Sequence, residues 1–283
     1  RARALALPGV PDGAVDTCGT GGDGAATFNV STAAGLVVAA AGVPVAKHGN
    51  RAASGKVGAA DVLEALGVVL EVTPEVLGAC LGTVGFAFLY APAFHPALRH
   101  AAGPRRELGL RTVFNLLGPL TNPARVRRQV VGVFDRRWLE PVATVLLRLG
   151  TERAWVVHGG GGLDELSLEG ETAVVEVRDG TVRARTVTAS EAGLLPAPLA
   201  LLRVGSVAEA AERLRGILAG VPGPARDIVC LNAGAALVVA DAARDLREGV
   251  ARAAAAIDSG AARAVLERLV AFTNAPAERG VPG

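Results

Sequence analysis

Two rhythms of apolar residues alternate along the first ninety or so positions. Short runs at 14–18, 43–46 and 86–90 predict buried strands, and 68–72 reads as another. Between them lie longer stretches, 33–41, 56–66 and 74–81, where small and branched apolar residues recur at helical spacing. Asn29, Ser31 and Thr32 are candidate caps for the first of these helices, and Gly42 followed by Pro44 marks its end. Gly67 ends the second and Pro74 opens the third. Strand and helix alternating at this length predict βαβ units and a parallel sheet. The stretch 95–120 differs: short helices are expected there, broken at Gly103-Pro104 and Gly118-Pro119. Buried strands resume at 129–134 and 154–158 with a helix between them. The runs 172–177 and 181–187 flank Asp179-Gly180, a hairpin signal. Helices are expected over 207–219, 225–241, 245–258 and 260–272. There is no internal repeat, and the Gly/Pro-rich loops at 159–162 and 220–224 are too short to be flexible linkers.

With 283 residues, 51% of them hydrophobic, the chain can bury a large core as one domain or two. A net charge of +2 and only 4% aromatic residues give neither the basic patch nor the stacking platforms of a nucleic-acid binder. The longest apolar stretch, 33–45, contains glycines and a proline and is too short to span a bilayer. Cys18, Cys80 and Cys230 are too scattered for a disulfide framework or a zinc site, and are expected as buried thiols in a reducing, cytoplasmic setting. The chain holds no methionine and reaches its first motif within about fifteen residues, so further N-terminal sequence is expected to precede it.

Chemistry concentrates in three places. Residues 19–23 read GTGGD: the glycines allow backbone N–H groups to approach an anion, and the helix start near Asn29 to Thr32 adds unpaired N–H groups and the positive end of a dipole. Thr20, Thr27, Ser31 and Thr32 add hydroxyls. The loop satisfies neither GxxxxGK[ST] nor GxGxxG. Residues 47–51 read KHGNR, with Lys47 a point charge for phosphate, Arg51 a planar fork and Asn50 both donor and acceptor, where a strand gives way to a helix. Asp164-Glu165 follows four glycines; both acids can face one site only if they lie in a turn, and there they would suit Mg²⁺ together with phosphate oxygens. Arg105, Arg106 and Arg111 are candidates for clamping a carboxylate.

These motifs, taken in order with NVST at 29–32, Ala53-Ser54 and the run RTVFNLLGPLTNP at 111–123, resemble the anthranilate phosphoribosyltransferases along nearly the whole chain. The resemblance implies an α/β fold of the nucleoside phosphorylase/phosphoribosyltransferase class: a large domain with a central, mostly parallel sheet flanked by helices (1–92 and 123–283), plus remnants of a small helical domain (93–122) whose opening helices precede this sequence. It implies transfer of the phosphoribosyl group of phosphoribosyl diphosphate to the amine of anthranilate, a step of tryptophan biosynthesis, at the hinge between domains. Gly19, Gly22, Asp23, Thr27, Asn29, Ser31, Thr32, Lys47, Asn50 and Ser54 would hold the diphosphate substrate, and Ser31, Asp164 and Glu165 would bind Mg²⁺. Anthranilate would meet Gly19, His48, Asn50, Arg105 and Pro119, Arg105 taking its carboxylate. No residue is assigned as catalytic acid or base, because an aromatic amine is already nucleophilic. The family's usual assembly is a homodimer built through the helical domains, with no nucleic-acid or membrane partner. The chain departs from the family's pattern at Gly55, where a serine is usual, and around Gly205-Ser206 and Ala210, where a Gly-Gly-Asp and a later Asn are common. The rival readings are a related transferase with another acceptor, a nucleoside phosphorylase, and a non-catalytic relative that binds DNA or a regulatory ligand.

Overall fold

Val15, Val45 and Phe86 begin three strands whose side chains are buried on both faces, the signature of a parallel sheet covered by helices. A computed structural model describes residues 3–52, 57–98 and 113–275. In it β1 (Val15–Gly19) pairs in parallel with β2 (Val45–Gly49) and with β4 (Arg128–Gly132). Strand β3 (Phe86–Tyr90) adds in parallel outside β2, and β5 (Arg153–His158) outside β4. The hairpin β6 (Glu171–Arg178) and β7 (Thr181–Thr188) continues antiparallel from β5, giving the order β3-β2-β1-β4-β5-β6-β7. Its turn residues Asp179 (φ 49°) and Gly180 (φ 73°) both take the positive φ that a tight hairpin requires. The direction of sheet growth reverses at β1. In an open α/β sheet, ligands bind beyond the carboxyl ends of the strands flanking such a reversal, here β1 and β4.

Helix α1 (Val30–Ala40) is apolar nearly all round and is buried almost throughout. It lies between the sheet and a helical layer made by α7 (Val207–Leu218), α8 (Pro224–Val239), α9 (Leu246–Asp258) and α10 (Ala261–Asn274). On the opposite face α6 (Leu139–Arg148) turns Leu139, Val142, Ala143 and Leu146 onto β5 and β6, the i, i+3, i+4, i+7 stripe of an amphipathic helix. Helix α3 (Pro74–Val84) packs beside β3 with Phe94 of α4 (Ala91–Phe94), while α2 (Ala59–Ala65) lies against α7. Cys18, Cys80 and Cys230 are free and buried. Among the described residues no helix is long and apolar enough to cross a membrane.

Two local expectations fail. Residues 68–72 join no ladder: Val68 and Leu70 are buried, but Val69 N–H donates to Thr273 Oγ1 of α10 at 3.2 Å, so the alternation serves packing against helices. Gly118-Pro119 does not break its helix either; α5 (Phe114–Leu120) runs through both. The carbonyls at this end are used by side chains, Pro119 O accepting from Gln129 Nε2 at 3.0 Å and Gly118 O from His48 Nδ1 at 3.0 Å.

Candidate active site

The GTGGD loop leaves β1 at Gly19 and turns through Gly21 (φ 65°) and Gly22 (φ 76°), conformations that side chains rarely adopt. The acidic turn at 164–165 lies directly across the ends of β1 and β4. A Cβ at Gly132 would come within 1.5 Å of the Asp164 carbonyl oxygen, and one at Gly19 within 2.4 Å of Asp164 Oδ2. Only glycine at the ends of these two strands lets the turn sit so low on the sheet.

Asp164 and Glu165 do lie in a turn, and both face the loop and the start of α1. Asp164 Oδ2 accepts from Gly21 N–H at 2.7 Å, and Glu165 Oε1 accepts from Ser31 N–H at 3.1 Å. Asn29 occupies the cap position of α1 but makes no side-chain cap bond, so an acid 134 residues away serves one of the open N–H groups instead. Asp23 closes the group: its Oδ1 accepts from Ala25 N–H at 3.1 Å and its Oδ2 from Asp164 N–H at 3.4 Å. Burial, then the charges of Asp23 and Glu165, push the Asp164 carboxyl well above its ordinary range. Burial likewise raises Glu165, against the opposing pull of Lys47 and Ser31. Three crowded carboxylates with one nearby ammonium form an arrangement that a divalent cation would relieve.

The donor set fits Mg²⁺. Carboxylate and hydroxyl oxygens are hard ligands, and Mg²⁺ is ordinarily held by one or two carboxylates plus substrate phosphate oxygens. Among the described residues no three His, Cys, Asp or Glu side chains form a ready-made metal cage. At the start of α1, Asn29 Oδ1 and Thr32 Oγ1 are buried without a hydrogen-bond partner among the described residues, two polar atoms that a ligand could satisfy.

Beneath the loop is a buried polar frame. Lys47 Nζ donates to Ser31 Oγ at 3.1 Å and to the Thr17 carbonyl, and its charge faces Asp16 and Glu165. Asp16, fully buried in β1, accepts from His48 N–H at 3.2 Å and from Asn122 Nδ2 at 2.8 Å. Asn122 also donates to Ala46 O at 2.8 Å, tying the segment after α5 to β1 and β2. A carbonyl can only accept, so the His48 contact to Gly118 O places a proton on Nδ1, and His48 Nε2 accepts from His95 Nε2–H at 3.2 Å. Burial and then the neighbouring His95 hold His48 down at about 4, against an ordinary 6.5.

The structure thus brings together Gly19, Asp23, Asn29, Ser31, Lys47, Asp164 and Glu165, with Thr32 one position further along α1. Thr27 bridges Arg203 through the backbone, and Gly22 lies at the turn of the loop. His48 bonds the Gly118 carbonyl beside Pro119, whose own carbonyl accepts from Gln129, and Asn50 is exposed, with Oδ1 accepting from Arg51 N–H at 2.7 Å. Arg51 is not an anion fork. Its guanidinium bonds Asp61 at 2.8 Å and Glu64 of α2 at 2.5 Å, and also Tyr90 Oη, because two acids one helical turn apart take its planar face. Arg105, Arg106, Arg111, Ser54 and Gly55 lie outside the described residues. The buried polar groups Asp16, His95, Gln129 and Asn232 were not singled out from the sequence, and Asn122 entered only as part of the run at 111–123; an acid inside the apolar strand β1 was the local signal for Asp16.

A sheet switch point carrying an amide-lined loop, a helix N-terminus and paired acids defines a phosphate-ligand site of the transferase kind, and residues 11–263 match the family described as "Glycosyl transferase family, a/b domain". Anthranilate phosphoribosyltransferase of Afipia carboxidovorans is 56% identical over 94% of this chain and 79% of its own length. That of Thioalkalivibrio sulfidiphilus is 56% identical over 92% and 77%. The crystal structure of the Thermus thermophilus anthranilate phosphoribosyltransferase superposes with a TM-score of 0.90 at 51% identity, covering 96% of this chain and 81% of that one. The Saccharomyces cerevisiae enzyme in complex with PRPP and Mg gives 0.87 at 29% identity, covering 96% and 77%. The chain belongs to the anthranilate phosphoribosyltransferase family.

Proposed function

We propose that the protein transfers the phosphoribosyl group of phosphoribosyl diphosphate to the amine of anthranilate, releasing diphosphate. The observation that carries this reading is the meeting of the Gly21 amide, the Ser31 amide and the Asp164-Glu165 pair over the ends of β1 and β4, in a chain more than half identical to enzymes of that name. Solved relatives from S. cerevisiae hold PRPP and Mg in one case and 4-fluoroanthranilate in another, which supports the same two substrates here.

The chain's own residues do their work by position and charge. Gly19, Gly22, Thr27, Asn29, Thr32 and Lys47, with Ser54 outside the described residues, are assigned to the phosphates and ribose. Amides aimed at oxyanions in a water-poor cleft strengthen as negative charge builds on the departing diphosphate. Asp164, Glu165 and Ser31 would hold Mg²⁺, with Asp23 steadying the turn through Asp164 N–H. When bound, Mg²⁺ supplies charge neutralisation for the leaving group. As the bond from ribose C1 to the diphosphate oxygen lengthens, positive charge develops on the sugar, and the amine nitrogen forms the new bond to C1, the nitrogen then losing one proton to solvent or to the departing diphosphate. Asn50 is assigned beside the amine and ribose. Gly19, His48, Pro119 and Arg105 are assigned to anthranilate, Arg105 as its carboxylate clamp. With His48 Nδ1–H committed to Gly118 O and Nε2 to His95, this histidine shapes the pocket and is not used as a base. Much of the rate enhancement would come from bringing the two substrates into register.

At a coarser level, 1–92 and 123–283 form the phosphate-binding domain, and 93–122 belongs to a helical domain through which the protein pairs as a homodimer in the cytoplasm. The direct test follows the loss of anthranilate fluorescence with phosphoribosyl diphosphate and Mg²⁺ present. Fluorescence should fall only when all three are supplied, and Arg105→Ala should raise KM for anthranilate much more than for the diphosphate. A steady signal, or equal effects of Arg105→Ala on both substrates, would contradict the assignment.

A further inference from the structure

Helix α8 is buried around most of its circumference, with Ile228, Val229, Leu231, Ala235 and Ala236 all below 2% exposed. At its centre stands one polar side chain, Asn232, itself 2% exposed. An amide buried among apolar neighbours costs stability unless each of its groups is paired. Here Oδ1 accepts from Leu166 N–H at 2.9 Å, and Nδ2 donates to Leu166 O at 2.9 Å and to Ile228 O at 2.9 Å. The side chain imitates the edge of a strand and exchanges both backbone bonds with a single residue, the one that follows Glu165. The next amide, Ser167 N–H, is held by Thr172 Oγ1 at 3.0 Å.

The acidic turn is therefore gripped from two sides. Its carboxylates are held in front by Gly21 and Ser31, and its backbone is held behind by Asn232. The front bonds alone cannot fix it, because ligand oxygens compete for the same amides. The rear bonds come from a helix buried in the core. An apolar residue would fill position 232 without any pairing requirement, so the asparagine serves the turn and not the packing of the helix.

We propose that Asn232 is a positioning residue for the Mg²⁺–diphosphate site, holding Asp164 and Glu165 in their binding arrangement through both backbone groups of Leu166. The proposal rests on the reading of that acid pair as the metal-holding pair. Groups behind ligating side chains commonly change metal affinity by about 10–100-fold when removed.

The test compares Asn232→Ser with Leu231→Ala. A serine on a helix can bond its own i−4 carbonyl, here Ile228 O, but is too short to reach Leu166, so it cuts the two cross-links selectively. Leu231→Ala removes packing from the neighbouring position of the same helix. Inorganic diphosphate is titrated into the whole chain by calorimetry with and without Mg²⁺, alongside hydrogen exchange at the Leu166 and Ser167 amides and KM for anthranilate. Asn232→Ser should weaken Mg²⁺-dependent diphosphate binding by about 10–100-fold, speed exchange at Leu166, and leave KM for anthranilate within about twofold. Leu231→Ala should lower the melting temperature without either effect. Equal loss of affinity in both variants, or unchanged affinity in Asn232→Ser while Leu166 exchanges faster, would overturn the role of Asn232 and leave the metal site standing. Wild-type diphosphate binding indifferent to Mg²⁺ would overturn both.

Discussion

His48 carries its proton on Nδ1, lends Nε2 to His95, and is held at about 4 by burial and that neighbour. The unfolded chain binds a proton at this position below about 6.5 while the folded chain does not until about 4, so His48 favours the native state fully above 6.5 and progressively less as pH falls to 4. Asp164 and Glu165 are raised and carry the opposite sign, so the effect must be read as a difference. His48→Asn keeps a donor for Gly118 O and removes the titration. The stability gap between wild type and this variant, from urea unfolding, should shift against the wild type by about 3 kcal/mol between pH 6.5 and pH 4. A gap independent of pH would show that His48 titrates normally. At Asp164 the ionised form is disfavoured in the absence of metal, so Asp164→Asn should raise the metal-free protein's stability by about 1–2 kcal/mol while abolishing Mg²⁺-dependent turnover. Calorimetric melting and the fluorescence assay check the two halves. That Lys47, Asp164 and Glu165 would lie together was legible in the sequence, because charges beside glycine-rich loops carry a local signal. Asn232 was not, because its partner is 66 residues away and an asparagine inside an apolar helix resembles any satisfied core polar group. Arg51 misled for the same reason: nothing local reveals that Asp61 and Glu64 claim its guanidinium.

At the scale of elements, the βαβ units and the hairpin were legible because apolar run length, Gly and Pro punctuation and Asp179-Gly180 act locally. The segment 68–72 was misread because burial on alternate positions does not reveal whether the partner is a strand or, as here, the helix carrying Thr273. Asn29 holds the cap position of α1 as the sequence predicts, but it makes no side-chain cap bond; Glu165, far away in sequence, accepts from Ser31 N–H instead. This couples the site to the fold. Gly132→Ala places a methyl carbon where the Asp164 carbonyl lies, and backbone cannot yield as a flexible side chain would. It should cost about 3 kcal/mol or more in urea unfolding and abolish diphosphate binding even where the variant folds. Wild-type diphosphate affinity in Gly132→Ala would show that the turn does not sit on β4 as described.

At the scale of the whole molecule, the sheet order places β1 and β4 side by side at the reversal, and Gly21, Ser31, Lys47, Asp164 and Glu165 reach that one edge from four parts of the chain: the loop after β1, the start of α1, strand β2 and the turn after β5. A ligand that joins these parts stabilises them together. Phosphoribosyl diphosphate at about 100 times its Kd should add about 2.7 kcal/mol to unfolding, and only with Mg²⁺ present. The central claim is that Asp164 and Glu165 hold Mg²⁺ for the diphosphate. Its most direct measurement is calorimetric binding of phosphoribosyl diphosphate to wild type and to the Asp164→Asn, Glu165→Gln double variant, each with and without Mg²⁺. Wild type should bind tightly only with Mg²⁺, and the double variant should bind weakly and equally in both conditions. A double variant whose binding still rises on adding Mg²⁺ to the wild-type extent would contradict it.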